Sequence, residues 1–216
     1  MAVVEFFGPS GSGKSTLVAQ LHKQFEGSHR HKANGYHRLH YADPLGPWQR
    51  RSRRLSSVAL RPVTARRMLP VLESRAPLPL ATDLCFRFRF RDRLEECGPL
   101  CLLDEGPLHR IFTFASKKQV QEPTSLLRLA PLPDAAVYLS VSAGTSQARL
   151  TERAAQKGTA TKPSWPRRHK RYDRAARRWL ETTDLPHLIV NADAHPDPAG
   201  TVAAWLTDSL VAKHAG

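Results

Sequence analysis

Nine residues near the N-terminus constrain this chain more than any others. Gly8-Pro-Ser-Gly11-Ser-Gly13-Lys14-Ser15-Thr16 fits the pattern GxxxxGK[ST] without deviation, between an apolar run at Val3–Phe7 and an amphipathic stretch at Lys14–Phe25. A strand, a glycine-rich turn and a helix in that order form a cradle for a polyphosphate. The glycines let backbone N–H groups turn inward, and the helix adds the positive end of its dipole. The expected nucleotide-contacting set is Gly8, Ser10, Gly11, Ser12, Gly13, Lys14, Ser15 and Thr16, with Lys14 reaching the β- and γ-phosphates and Ser15 holding Mg²⁺.

The rest of the chain agrees with an α/β fold. Short apolar runs recur at Leu39–Ala42, Leu100–Leu103, Ala136–Val141 and Leu188–Val190, each ending near Gly, Asp, Ser or Asn. Helical patterns fill the intervals, at about Val63–Arg75, Leu84–Cys97, Leu108–Ala115, Thr145–Gln156, His169–Thr183 and Pro198–Ala212. Asp197 is the expected N-cap of the last one, with Pro198 at its first position. Short apolar strands alternating with helices predict a five-stranded parallel sheet with helices on both faces. The 216 residues suit a single domain over 1–216, in which the basic, Gly- and Pro-containing segment Lys157–Arg168 reads as a loop, within a mobile lid at about 153–168.

Composition narrows the class further. With 41% apolar and 24% charged residues, disorder and low complexity are excluded as overall descriptions. No apolar run approaches the roughly 18–20 residues that cross a bilayer, and MAVVEFF lacks a charged leader region, so a cytoplasmic location is expected. Cys85, Cys97 and Cys101 sit at no metal-binding spacing and read as ordinary thiols. The ten histidines show no zinc-ligand spacing either. The formal net charge is +14, from 24 Arg and 9 Lys against 19 acidic residues, a field that attracts phosphates.

A phosphate cradle alone does not name a reaction. There is no NKxD guanine-specificity element, no DxxG at the second acidic signal and no LSGGQ signature, and the chain is short for an AAA-type or helicase motor. The run Leu100-Cys-Leu-Leu-Asp104-Glu105-Gly106 is an apolar strand ending in two carboxylates, where Asp104 is the metal candidate and Glu105 could orient an acceptor hydroxyl or an arginine. Arg149 and Arg153 stand four apart on one helical face, so both can approach a transferring phosphoryl group. Trp165 suits either a cover for a base or sugar or a hinge contact.

With these motifs the sequence resembles the nucleoside and nucleotide kinase branch of the P-loop proteins, especially thymidylate kinase and the deoxynucleoside kinases. Asp43-Pro44-Leu-Gly-Pro-Trp48 is similar to the acid, proline and tryptophan that follow the second strand of that group. The resemblance implies Asp43 as base for the acceptor, although the family usually carries Glu there, and Trp48 as a substrate contact. It implies Glu105 and Arg110 as the third-strand acid and its arginine, Arg149 and Arg153 as lid arginines, and Asn191 and Asp193 in the loop beside the ATP base. It further implies a kinase-type sheet with a lid, ATP and Mg²⁺ as requirements, and a small-molecule acceptor, most simply a nucleoside or nucleotide. A sugar or antibiotic-like acceptor stays open, as do ATP against GTP and a homodimer. The alternative from another class is a polynucleotide 5′-kinase or nucleic-acid-binding ATPase, motivated by the charge and by the Phe/Arg alternation at Phe86–Arg91.

Overall fold

The computed structural model describes residues 2–28, 36–39, 100–104, 106–118, 123–128, 132–159 and 165–211. The strands are β1 (Ala2–Phe7), β2 (Tyr36–Leu39), β3 (Leu100–Asp104), β4 (Ala135–Ser140) and β5 (His187–Asn191). They form one sheet in the order β2-β3-β1-β4-β5, every pairing parallel. The described helices are α1 (Lys14–Ser28), α2 (Pro107–Lys118), α3 (Thr124–Arg128), α4 (Ala143–Gln156), α5 (Trp165–Leu180) and α6 (Pro198–Val211). Because β1 lies between β3 and β4, the carboxyl ends of three strands converge on the Gly8–Thr16 loop, which is where ligands bind in open parallel sheets.

β1 is apolar almost throughout because both of its faces are covered. Ala2, Val4 and Phe6 pack with Leu17, Val18 and Leu21 of α1 and with Val202 and Leu206 of α6. Phe7 points the other way, into a cluster with Tyr138 of β4, Leu108, Ile111 and Phe112 of α2, and Ala176 and Leu180 of α5. The aromatic rings there are in direct contact, Phe7 stacking on Phe112 at 5.6 Å between centroids and tilting against Tyr138 at 5.0 Å.

Three expectations change. The second strand runs Tyr36–Leu39 and pairs Tyr36 with Leu100 through Leu39 with Leu103, so it starts before the apolar run that signalled it; residues 40–42 lie outside the described set. As the edge strand it need not be continuously apolar, which is why Tyr-His-Arg-Leu escaped a search for buried runs. The segment Lys157–Arg168 is not a loop to its end: α5 begins at Trp165, with Pro166 in the first turn, where a missing N–H forfeits no intrahelical bond. The short helix α3 had no periodicity long enough to announce it. The stretches expected to be helical at Val63–Arg75 and Leu84–Cys97, including Phe86–Arg91, lie outside the described residues.

The last helix follows its sequence signal. Asp197 Oδ1 accepts from Gly200 N at 2.9 Å, an N-cap of the kind that contributes about 1 kcal/mol. No helix among the described residues is long and apolar enough to cross a membrane.

Candidate active site

The loop between β1 and α1 is shaped by close approach as much as by glycine's freedom. Gly11 (φ 83°) and Gly13 (φ 96°) occupy backbone conformations that L side chains rarely adopt, and a Cβ on Gly8 would collide with the Leu139 carbonyl oxygen of β4. Lys14 folds over this loop, 4% exposed, with Nζ donating to Gly8 O at 3.0 Å, Pro9 O at 3.1 Å and Ser12 Oγ at 3.4 Å. Ser15 and Thr16 stand exposed at the start of α1.

Asp104 ends β3, paired in register with Phe6 beside the loop. It is buried, and Oδ1 has no hydrogen-bond partner among the described residues. A buried carboxylate oxygen left without a donor costs about 1–3 kcal/mol, so its retention fits a hard cation or its water as the intended partner. Ser15 and Asp104 are therefore compatible with Mg²⁺. Among the described residues no cluster of three His, Cys, Asp or Glu side chains could hold a metal by protein ligands alone.

One acid of the site was missed by sequence reasoning. Glu5, fully buried in β1, accepts from Leu108 N at 3.1 Å and His109 N at 2.9 Å, satisfying two orphan donors at the N-terminus of α2 and lying at the positive end of its dipole. The signal was there: it is the one charged residue in an otherwise apolar strand. Gly106 makes room for it, since a Cβ at that position would strike the Glu5 carboxylate and come within 2.7 Å of Leu103 Cδ2. Gly106→Ala is accordingly expected to lower stability by about 1–3 kcal/mol through overpacking, read as a lower urea midpoint with an unchanged slope. A wild-type midpoint would mean that Glu5 does not pack under the start of α2.

On the other side of the loop stands α4. Its N-cap Ser142 accepts from Thr145 N at 3.1 Å, and Ser146 in the first turn donates to Ser10 O at 2.7 Å. Trp165 Nε1 in turn donates to Ser146 Oγ at 3.3 Å, so that this indole ties α5 to α4. Arg149 Nη1 donates to Gly11 O at 3.2 Å. Arg149 and Arg153 share one face of α4, and both line a pocket of about 460 Å³ with Gly11, Ser12, Gly13, Thr16 and Gln20. Ala192 of the loop after β5 also lines it.

The residues flanking Ala192 hold this loop in place. Asp193 Oδ2 accepts from Ser142 N at 2.7 Å, and Asp193 N donates to Asn191 Oδ1 at 3.0 Å, so both side chains are engaged in fixing this loop against the start of α4. Neither Asn191 nor Asp193 lines the pocket; Ala192 does. Partial burial pushes the Asp193 carboxyl up, but hydrogen bonds from Ser142 and Thr145 and the Arg149 charge outweigh it and hold the group below its usual range.

Two further residues that sequence reasoning missed reach the loop from behind. Tyr172 of α5 accepts from Gly8 N through its hydroxyl at 3.2 Å, and His109 Nδ1 of α2 lies 3.1 Å from Gly8 O. Nearby, His169 of α5 is buried, which pushes its imidazole below the ordinary value against the opposing pull of Asp173. Arg110 stands exposed in the first turns of α2. Asp43, Trp48 and Glu105 lie outside the described residues.

Residues 3–175 match the AAA domain family model. In three dimensions the chain is similar to deoxyadenosine kinase from M. mycoides with bound dATP, at a TM-score of 0.56 and 16% identity, over 96% of this chain and 98% of that one. The same kinase with bound dCTP gives 0.53 and 14% over 95% and 99%. With the products dCMP and a flexible dCDP it gives 0.51 and 14% over 97% and 99%. Likeness at that identity is likeness of fold. No curated protein matches the sequence. With its glycine-rich loop seated between β1 and α1 and four-fifths of its length matched, the chain is a P-loop protein of the AAA domain family, built on the fold of the deoxyadenosine kinase group.

Proposed function

We propose that this protein is an Mg²⁺- and ATP-dependent phosphotransferase acting on a small-molecule acceptor, a nucleoside or nucleotide. The observation that carries this reading is the pocket at the mouth of the loop, which brings Gly11–Gly13, Thr16, Arg149 and Arg153 to one cavity of about 460 Å³, the size of a nucleotide site. Its backbone donors and two guanidinium groups suit a polyphosphate, and the space toward Gln20 and Ala192 suits the base. Relatives in fold are named with dATP, dCTP and dCMP bound, which favours a nucleoside-type acceptor over a sugar.

Each residue then has a physical task. Lys14 keeps two protons on loop carbonyls, and the longest of its three bonds within the loop, to Ser12 Oγ, is the one a phosphate oxygen would take over. Ser15 and Asp104 would hold Mg²⁺, whose contribution when bound is to neutralise phosphate charge. Arg149 and Arg153 add cations where charge develops, in a site that closure would dry. Residues 153–168 would act as the lid, within a single domain.

Asp43 separates two acceptor chemistries. A neutral hydroxyl needs a carboxylate to take or orient its proton, so Asp43→Asn should lower kcat far more than it raises KM. A phosphate monoester is already ionised at neutral pH and should show mainly a KM effect. Steady-state kinetics of Asp43→Asn against a panel of nucleosides and nucleoside monophosphates reads the difference, and the hydroxyl outcome is expected. No dependence on any member of the panel would overturn the small-molecule reading.

A further inference from the structure

Gly8 joins β1 to the loop, and it is gripped from two helices that the nucleotide pocket does not involve. Its N–H donates to Tyr172 Oη at 3.2 Å, and its carbonyl oxygen accepts from His109 Nδ1 at 3.1 Å. These groups belong to the two planar peptide units on either side of the Gly8 Cα, so the pair fixes both. A carbonyl oxygen can only accept, which places the His109 proton on Nδ1 and leaves Nε2 facing the Thr113 hydroxyl at 3.4 Å. His109 Nδ1 also lies 3.2 Å from Tyr172 Oη, and the two rings tilt together at 5.8 Å. His109 is itself anchored through its backbone N–H to Glu5.

The consequence runs to Lys14. The same Gly8 carbonyl oxygen accepts from Lys14 Nζ at 3.0 Å, so the direction of that carbonyl sets where the ammonium group sits. His109, Tyr172 and Lys14 are all at most 5% exposed, so these bonds are shielded from solvent and losing a partner is costly. We propose that His109 and Tyr172 are positioning residues that act on the nucleotide through Lys14, by clamping Gly8 from α2 and α5. The inference rests on the kinase reading, in which Lys14 meets the donor's phosphates.

A double-mutant cycle tests it, using the affinity of a ribose-labelled fluorescent ATP analogue. His109→Ala should weaken binding on the order of tenfold, because an acceptor that aims Lys14 loses its fixed donor. His109→Asn, whose amide nitrogen stands where Nδ1 stands, should recover most of that loss. Tyr172→Phe should weaken binding several-fold. In a Lys14→Met background neither His109→Ala nor Tyr172→Phe should cost anything further, since the group they aim is gone. Equal losses with and without Lys14, no loss at all, or no recovery in His109→Asn would each overturn the clamp. If circular dichroism shows His109→Ala unfolded, Tyr172→Phe in the two backgrounds decides by the same criterion. Wild-type protein that fails to bind the analogue would overturn the kinase reading and the clamp with it, whereas tight wild-type binding with an unchanged His109→Ala affinity overturns the clamp alone.

Discussion

Lys14→Ala should lower phosphoryl transfer by on the order of 10²–10³-fold in kcat while the protein keeps its fold. The size of the effect follows from where the ammonium lies. It is almost fully buried against the loop and bonded to Gly8 O and Pro9 O, so it is held before any nucleotide arrives and costs little to reorganise. The mildness of the structural effect follows from the neighbours it leaves behind. Gly8 O retains the His109 donor, and the β1 pairings with β3 and β4 do not involve Lys14. Circular dichroism and a melting curve beside the kinetic assay make the check. Wild-type turnover in this variant would remove Lys14 from the chemistry, and an unfolded variant would assign it to the scaffold.

Asp104→Asn should separate stability from activity in the opposite sense. In the folded chain Oδ1 of Asp104 is buried without a hydrogen-bond partner among the described residues, so that oxygen adds no described hydrogen bond to the fold. Replacing it by a neutral isostere relieves the burial of charge, and in metal-free buffer the variant should melt at or above the wild-type temperature. Transfer should fall on the order of 10²-fold, and the rise in melting temperature that Mg²⁺ with ATP gives the wild type should shrink. A variant that melts several degrees lower yet turns over normally would make Asp104 a structural acid.

How much of this was legible in the chain depended on whether the signal was local. The Gly8–Thr16 loop could be read because its backbone geometry demands glycine at fixed positions and because the flanking strand and helix lie next to it in sequence. Strands β1, β3 and β4 could be read because parallel strands buried on both faces leave continuous apolar runs. Of the two edge strands, β5 left the short apolar run Leu188–Val190, whereas β2 left none and could be placed only roughly. Arg149 and Arg153 were found by helical spacing, and the structure brings both to the pocket. Glu5, His109 and Tyr172 were not found, since the contacts that define them join residues 101 to 164 apart and no pattern within a window of a dozen residues encodes that. Asn191 and Asp193 were read from resemblance alone, with no signal for the contacts they make across the chain. Their side chains fix that loop against α4, and it is the alanine between them that faces the cavity.

Transfer of the terminal phosphoryl group of ATP to a small acceptor can be measured directly. The most direct measurement incubates the protein with γ-labelled ATP, Mg²⁺ and single nucleosides or nucleoside monophosphates, and identifies the labelled product by mass. Label is expected on one class of acceptor, formed in step with ADP and lost in Lys14→Ala. Label released only as inorganic phosphate, or transferred only to oligonucleotide ends, would contradict it.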